Sequence, residues 1–247
     1  MSFGIPKGIV TSIGSLFSGI GGIELGLENV GLGPVRWQSE IDPFCLGILK
    51  KHWPDVPKHG DIRQLSNPEK VDIVCGGAPC QDLSDAARGR NVGLEGERSG
   101  LVFEMLRIIE EVGPRWAILE NVDGAAYKRW VPVVRSGLGR IGYSSLPVRL
   151  RAFDLGGPYK GSRVFLLATA DGESKSALAK HGQMAFLSAV ARTRRENWGQ
   201  PSPRALGVAD GVPRRMDRLR VVGNSVSPPF AEVVGRMILT LSELVDS

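Results

Sequence analysis

The sequence has few of the residues that build disulfide scaffolds and metal centres. Three cysteines and three histidines occur in 247 residues. The cysteines, Cys45, Cys75 and Cys80, are odd in number and irregularly spaced, which argues against a disulfide framework and favours a reducing, cytoplasmic compartment. Because no cysteines and histidines share the spacing of metal ligands, we expect no metal site.

The sequence also lacks long hydrophobic runs. No apolar segment approaches the ~18 residues that a membrane helix needs, and the first residues show no signal-peptide pattern. We therefore expect no membrane association. A hydrophobic content of 42% and a charged content of 23% are typical of a globular protein. The length suits one large domain with a small appendage, and we expect a monomer.

Acidic residues are also fewer than basic ones, since the formal net charge is +5. Eight arginines lie between Arg192 and Arg220, and only Glu196, Asp210 and Asp217 oppose them. Such a stretch is typical of phosphate contacts, although a solvated basic face is the alternative interpretation. The charge distribution therefore favours a polyanionic partner.

Strand-like apolar runs alternate with helical periodicity along most of the chain. The runs lie at 11–17, 35–39, 72–75, 116–120 and 164–168, and the helical segments at 22–30, 44–52, 101–112, 131–141 and 229–244. This alternation predicts an α/β fold with a Rossmann-like, doubly wound and mostly parallel sheet. Polar and basic residues break the rhythm from Asp171 onward. We therefore predict one domain from 1–170 and 218–247, with a small insert at 171–217.

The most informative segment is Gly76-Gly77-Ala78-Pro79-Cys80, which follows a short apolar strand. A strand that ends at a glycine turn places the next side chains at the carboxyl edge of a sheet, where open α/β folds bind ligands. Pro79 fixes φ and stiffens the approach, so Cys80 would be held outward as a nucleophile. The alternative is an ordinary cysteine that fills space in the core.

Glycines also follow the first predicted strand, in the segment Phe17-Ser18-Gly19-Ile20-Gly21-Gly22. They allow a ligand to approach the backbone, and the following helix offers its N-terminal amides. The dinucleotide fingerprint needs a third glycine where this chain has Glu24, and an acidic side chain there would repel a pyrophosphate. We therefore expect a nucleoside cofactor without a phosphate, for which S-adenosylmethionine is the natural candidate.

Three acidic residues follow other predicted strands. Glu40 comes about 20 residues after the glycine turn, where a carboxylate can hold ribose hydroxyls, and Asp61 is placed to meet an adenine amino group. Glu120 ends an apolar strand, and partial desolvation would raise its pKa and make it a proton donor near neutral pH. Helix capping or surface charge is the alternative for Glu40 and Asp61, and capping or an arginine partner for Glu120.

Five segments occur in the order seen in the C5-cytosine DNA methyltransferase family. They are Phe17–Gly22, Gly76–Ser84, Glu120–Val122, Arg163–Phe165 and Gly223–Val226. The chain resembles that family over 12–170 and 218–240, and within it the compact, phage-type members. The resemblance implies a class I S-adenosylmethionine-dependent methyltransferase that acts on double-stranded DNA in a bacterial or phage-infected cell. It also makes the insert at 171–217 a short target-recognition segment.

The resemblance assigns the chemistry as well. Cys80 would add as a thiolate to C6 of a flipped-out cytosine, which makes C5 nucleophilic toward the methyl group. Glu120 would hold the N3 and N4 edge and donate a proton, and Arg163 would approach the cytosine. S-adenosylhomocysteine is the expected product.

The other site residues follow from the same motifs. The cofactor pocket is expected from Phe17, Gly19, Ile20, Gly21, Gly22, Glu40, Ile41, Asp61, Ile62, Pro79, Asn224 and Ser225. DNA contacts are expected from Gln81, Ser84, Arg88, Arg90, Arg194, Arg195, Arg214 and Arg215. The segment 81–99 matches the family's mobile loop that closes over DNA, and a plain surface loop is the alternative.

The chain departs from the family pattern at three places. Tyr159 and Gly161 stand where members usually carry a glutamine and an arginine, and Leu83 replaces a common aromatic residue. The insert is also far shorter than the usual target-recognition domain. Two alternative functions are methylation of transfer RNA and DNA binding without catalysis, and an intact Cys80 and Glu120 argue against the second.

Overall fold

The structure, a computed structural model, describes residues 11–78, 100–194 and 225–245. These residues form a seven-stranded sheet. Its strands are β1 (Ile13–Leu16), β2 (Val35–Ser39), β3 (Lys58–His59), β4 (Ile73–Gly76), β5 (Trp116–Val122), β6 (Ser144–Arg151) and β7 (Ser162–Thr169). The helices are α1 (Gly22–Asn29), α2 (Pro43–His52), α3 (Gly100–Val112), α4 (Ala125–Arg140), α5 (Gly172–Thr193) and α6 (Pro228–Val245).

The strand order is β3-β2-β1-β4-β5-β7-β6. The first five of these strands are parallel, and β7 runs antiparallel to both β5 and β6. Leu16, Gly76 and Leu119 pair across β1, β4 and β5, so β1 and β4 end level with Leu119, and β5 continues to Val122. Because β7 is reversed, it begins at that same edge, where Arg163 pairs with Val122.

The sheet separates two hydrophobic cores. In β4, Ile73 and Cys75 pack into the core that contains α1, α5 and α6, whereas Val74 packs into the core of α3 and α4. Alternate side chains of a strand therefore face opposite layers, as a doubly wound sheet requires. The predicted fold class is confirmed. Among the described residues, no helix has the length and apolar character of a membrane span.

The antiparallel strand β6 is an element that the sequence analysis did not predict. It lies at the end of the sheet, and only Val148 and Leu150 among its eight residues are buried. An edge strand with so few buried positions, and with Pro147 near its centre, shows only a weak apolar pattern in the sequence. The two-residue strand β3 was missed for the simpler reason that it is too short.

Helix α5 occupies the first part of the predicted insert. Its buried positions are mostly small residues, and Ala177, Gly182, Ala185 and Ala189 are among them. This narrow face packs in the same core as α6 and the sheet, so it belongs structurally to the main body. Small residues permit close helix packing but are only weakly hydrophobic. The helical periodicity of this segment is therefore weak, and the helix was not predicted. The remainder of the predicted insert lies outside the described residues.

Helix α6 lies directly against α1. A Cβ atom at Gly26 would lie 2.4 Å from the carbonyl oxygen of Pro228 and 2.7 Å from Cβ of Ala231. A side chain at Gly26 would therefore have to displace backbone, which a close-packed core resists. This contact fixes the position of the C-terminal helix beside the first βα turn.

We expect Gly26→Ala to destabilise the fold by about 1–3 kcal/mol, because overpacking outweighs the better helix propensity of alanine. Gly47→Ala is the matched control, since Gly47 also lies within a helix and its added methyl group would meet open space. The control should gain roughly 0.5–1 kcal/mol. Urea unfolding of both variants measures the two effects, and equal stabilisation would contradict the packing assigned to α6.

Candidate active site

The carboxyl ends of β1, β2, β4 and β5 form the candidate site. The turn 17–22 follows β1, Glu40 follows β2, Gly77 follows β4, and Glu120 lies near the end of β5. Adjacent parallel strands bring these segments to one edge of the sheet, where open α/β folds bind their ligands. The segments that were predicted to follow the strand ends therefore lie together at this edge.

The turn after β1 has the backbone conformation that its glycines permit. Gly19 and Gly21 have φ values of 55° and 84°, and Phe17 adopts 54°. A methyl group added at Gly19 would meet no atom of the described residues within 4 Å, whereas one at Gly22 would lie 2.0 Å from the carbonyl oxygen of Val226. The turn is therefore open on one side for a ligand and closed on the other by the segment that precedes α6.

Glu40 holds this turn in place. Its Oε2 accepts a hydrogen bond of 2.8 Å from the amide of Gly19, and its Oε1 accepts from the amides of Ile41 and Asp42. The carboxylate thus lies directly beside the glycine turn, as the cofactor prediction required. Oε1 already accepts two amides, whereas Oε2 retains acceptor capacity, so the carboxylate can accept a hydrogen bond from a ribose hydroxyl.

Glu24, in the first turn of α1, is buried beneath the glycine turn. It is 1% exposed, and its Oε1 accepts a hydrogen bond of 3.1 Å from Nε2 of Gln38. Burial raises the pKa of Glu24. The side chain is enclosed below the turn, where its charge is disfavoured, and the repulsion of a pyrophosphate stays a prediction.

The other predicted cofactor residues lie at the rim of this site or behind it. Ile41 is 68% exposed, directly after Glu40. Asp61 caps the short 3-10 helix Ile62–Gln64 and is paired with Arg63, which lowers its pKa. Ile62 is only 3% exposed and packs in the core. Its side chain therefore supports the site from behind.

Glu120 is a buried carboxyl group with a perturbed protonation equilibrium. Desolvation raises its pKa to about 7, and the nearby charge of Arg163 limits that rise. Nε of Arg163 lies 2.9 Å from Oε1 of Glu120. Within the described residues, Oε1 has no aligned hydrogen-bond donor, so it keeps capacity for a substrate. A carboxyl group that titrates near neutrality suits general acid–base chemistry.

Glycine at position 77 is what allows Glu120 to lie there. A methyl group at Gly77 would lie 2.5 Å from Oε2 of Glu120. Cys75 pairs with Ile118 in the parallel register of β4 and β5, which brings Gly77 beside Glu120. From the sequence, Gly77 is predicted only as part of a turn, because its contact with Glu120 depends on the register between β4 and β5.

Arg163 connects three parts of the site. Besides Glu120, it donates hydrogen bonds to the carbonyl oxygens of Ser162 at 3.1 Å and Ser225 at 3.3 Å. Arg163 and Glu120 lie on the same face of the sheet as diagonal neighbours, because Arg163 is opposite Val122. Two predicted catalytic residues are therefore in contact, and one of them contacts a predicted cofactor residue.

Several predicted residues lie outside the described ranges. They are Pro79, Cys80, Gln81, Ser84, Arg88, Arg90, Arg195, Arg214, Arg215 and Asn224. Arg194 is described, and it is exposed at the end of α5. Within the described residues, no group of three or more potential metal ligands is present.

The strand order, the glycine turn and the buried carboxyl define a Rossmann-like methyltransferase fold. A family model described as C-5 cytosine-specific DNA methylase matches residues 11–201. The chain therefore belongs to the family of C5-cytosine-specific DNA methyltransferases, and the predicted resemblance is confirmed.

Curated relatives agree with this family. The chain is 37% identical over 166 residues to the type II methyltransferase M2.BsuMI of Bacillus subtilis, covering 63% of this chain and 41% of that protein. It is 31% identical over 182 residues to M.AquIA of Picosynechococcus, covering 65% and 72% respectively.

Two solved structures share the fold. One is a prophage protein of E. coli assigned as a DNA modification methyltransferase, with a TM-score of 0.65 and 17% identity over 94% of this chain and 99% of that chain. The other is the S. pombe Dnmt2 methyltransferase, with a TM-score of 0.62 and 16% identity over 96% and 100%.

Burial of Glu120 predicts a specific pH dependence of stability. Its folded pKa of about 7 lies above its ordinary 4.5, so its contribution is fully present below about pH 4.5 and is lost as the pH rises through about 7. Since one pKa unit corresponds to ~1.36 kcal/mol, wild type should lose roughly 2–3 kcal/mol more than Glu120→Gln between about pH 5 and pH 8. Urea unfolding at both pH values measures this difference, and parallel pH profiles would refute the assignment.

Proposed function

We propose that this chain transfers a methyl group from S-adenosylmethionine to C5 of a cytosine in double-stranded DNA, through a covalent bond between Cys80 and C6. The observation that carries the proposal is the buried Glu120, whose pKa is raised to about 7. It lies against Gly77, three residues before Cys80 in the chain. We infer from this proximity along the chain that Cys80 supplies the nucleophile and Glu120 the proton.

Cys80 and Glu120 have complementary tasks. The thiolate of Cys80 adds to C6 of the cytosine, and protonation at N3 by Glu120 makes this addition easier. A carboxyl group with a pKa near 7 is partly protonated at neutral pH and can donate that proton. Once C5 carries the methyl group, loss of the C5 proton and elimination of Cys80 restore the aromatic ring, and the N3 proton returns to Glu120.

Arg163 acts on the same centre through charge and position. Its guanidinium lies between Glu120 and the carbonyl oxygen of Ser225, so it fixes the orientation of the carboxyl group. It also keeps the pKa of Glu120 from rising further. Without the arginine, the buried carboxyl group of Glu120 would stay protonated and would lose its proton less readily.

The turn 17–22 and Glu40 fit the cofactor. The open space at Gly19 admits a ligand close to the backbone, and the carboxylate of Glu40 offers acceptors for ribose hydroxyls. When bound, S-adenosylmethionine supplies an electrophilic methyl group. The residues of the chain bind it, orient it toward the strand edge and limit the access of water.

The target base has to leave the helix to reach this edge. In duplex DNA the stacked neighbouring bases cover the ring faces through which C6 is attacked and C5 is methylated, so the base must be flipped at a cost of a few kcal/mol. Arginines of the segments 81–99 and 194–215 are the candidates for phosphate contacts that offset this cost. We expect them to provide much of the sequence-independent affinity.

We expect Cys80→Ala to abolish methyl transfer while cofactor binding persists, and Glu120→Gln to lower the rate about 10²–10⁴-fold. Transfer of labelled methyl groups to duplex DNA and to transfer RNA measures activity and substrate class together. Cys45→Ala is the matched control, because it removes a buried thiol on α2 and should leave the rate nearly unchanged.

Substantial turnover by Cys80→Ala would exclude it as the nucleophile. Methylation of transfer RNA in preference to duplex DNA would contradict the proposed substrate. Expression in an unmethylated host followed by bisulfite sequencing then identifies the methylated cytosine and its context, because methylation at C5 protects cytosine from deamination.

A further inference from the structure

An open cleft of about 1210 Å³ lies beside the site described above. It is lined chiefly by the segment 151–162, which joins β6 to β7, together with Ala191 and Arg194 at the end of α5. We call it the aromatic cleft, because Phe153 and Tyr159 are the aromatic side chains among its described lining residues. Among the described residues, Glu120 and Arg163 do not line it.

Both aromatic side chains are presented to solvent. Phe153 is 75% exposed and Tyr159 is 44% exposed. Phe153 lies on a short 3-10 turn whose Ala152 and Leu155 are completely buried, so the backbone is anchored while the ring faces outward. Exposed aromatic rings in an anchored segment are typical of contact surfaces rather than of a core.

Tyr159 takes the space that a side chain at position 161 would need. A Cβ atom at Gly161 would lie 2.6 Å from the Tyr159 ring, and the amide of Gly161 donates a hydrogen bond of 3.1 Å to the Tyr159 carbonyl. The two positions are therefore coupled. Where the family pattern has a glutamine and an arginine, this chain has Tyr159 and Gly161, and the ring of Tyr159 packs against Gly161.

The charge of the cleft favours a polyanion. Arg151, Lys160 and Arg194 are all exposed and line it. Asp154 adjoins the cleft, but Arg151 engages its carboxylate at 2.6 Å. Positive charge interleaved with aromatic rings is the combination that binds phosphates and stacks on nucleobases.

The cleft is also close to the reacting centre along the chain. Ser162 lines the cleft, and the next residue, Arg163, contacts Glu120. A strand of DNA that delivers a cytosine to Glu120 would therefore pass the mouth of the cleft. Base flipping leaves neighbouring bases without their stacking partner, and an aromatic ring can replace that partner.

We propose that the aromatic cleft binds the DNA substrate beside the target cytosine, with Tyr159 stacking on a base that the flip unstacks and with Lys160 and Arg194 on phosphates. This inference rests on the proposed function, because it assumes that the substrate is duplex DNA. Tyr159 is a positioning residue in this account. It contributes to substrate binding and to the flipped state, and it takes no part in proton transfer.

The test compares Tyr159→Ala with Tyr159→Phe on a duplex that carries the cytosine context found by bisulfite sequencing. Loss of one base–aromatic stack should weaken binding about 5- to 150-fold, so Tyr159→Ala should raise KM or Kd about tenfold or more. Tyr159→Phe keeps the ring and should restore most of the affinity. Met184→Ala, an exposed apolar residue on α5 outside the cleft, should match wild type.

Two further measurements separate binding from misfolding and from failure of the proposed function. Affinity for S-adenosylmethionine and the thermal unfolding midpoint should be unchanged in Tyr159→Ala. Lys160→Ala should reduce the slope of log affinity against log salt by about one. If wild type methylates this duplex and Tyr159→Ala binds and reacts like wild type, the cleft proposal is overturned. If wild type methylates no DNA, the proposed function itself fails.

A third outcome concerns the class of nucleic acid. Weaker binding of Tyr159→Ala to transfer RNA, with duplex binding unchanged, would overturn the proposal in its present form. Equal loss of affinity in Tyr159→Phe would also count against it, since a stacking role requires only the ring.

Discussion

The site depends on one carboxyl group held in a buried position at the edge of the sheet. Glu120 lies there because the parallel register of β4 and β5 places a glycine, Gly77, beside it. Burial alone would keep the carboxyl neutral, whereas the guanidinium of Arg163 favours its charge. These two opposing effects leave the pKa of Glu120 at about 7, where a group can both donate and accept a proton. The reversed direction of β7 is what brings Arg163 to that edge.

Backbone contacts join Glu120 to the glycine turn at 17–22. Arg163 donates to the carbonyl oxygen of Ser225, and the next residue, Val226, places its carbonyl oxygen against Gly22 at the start of α1. The segment before α6 therefore contacts both halves of the site. Helix α6 in turn packs on α1 at Gly26. A displacement of the C-terminal helix would thus disturb the glycine turn and the Arg163–Glu120 pair together, although neither lies on that helix.

Much of this arrangement could be predicted from the sequence. The five predicted strands, the glycine turn and the carboxylates of Glu40 and Glu120 follow from local patterns, because strand ends and glycine turns are signalled by consecutive residues. The contact between Gly77 and Glu120 could not be predicted, since it depends on the register between strands that are distant in sequence. Helix α5 was missed because its buried face consists of small residues. The burial of Glu24 could not be predicted either, because it depends on packing that no local pattern reveals.

The central claim is that Cys80 forms a bond with C6 of a cytosine that Glu120 protonates. A duplex with 5-fluorocytosine at the methylated position tests it directly, because fluorine at C5 cannot leave as a proton does, and the elimination of Cys80 is blocked. We expect a covalent protein–DNA complex that survives denaturation, requires S-adenosylmethionine, and maps to the peptide containing Cys80. Wild-type protein that methylates the ordinary duplex but forms no such complex, or forms it at another residue, would contradict the account.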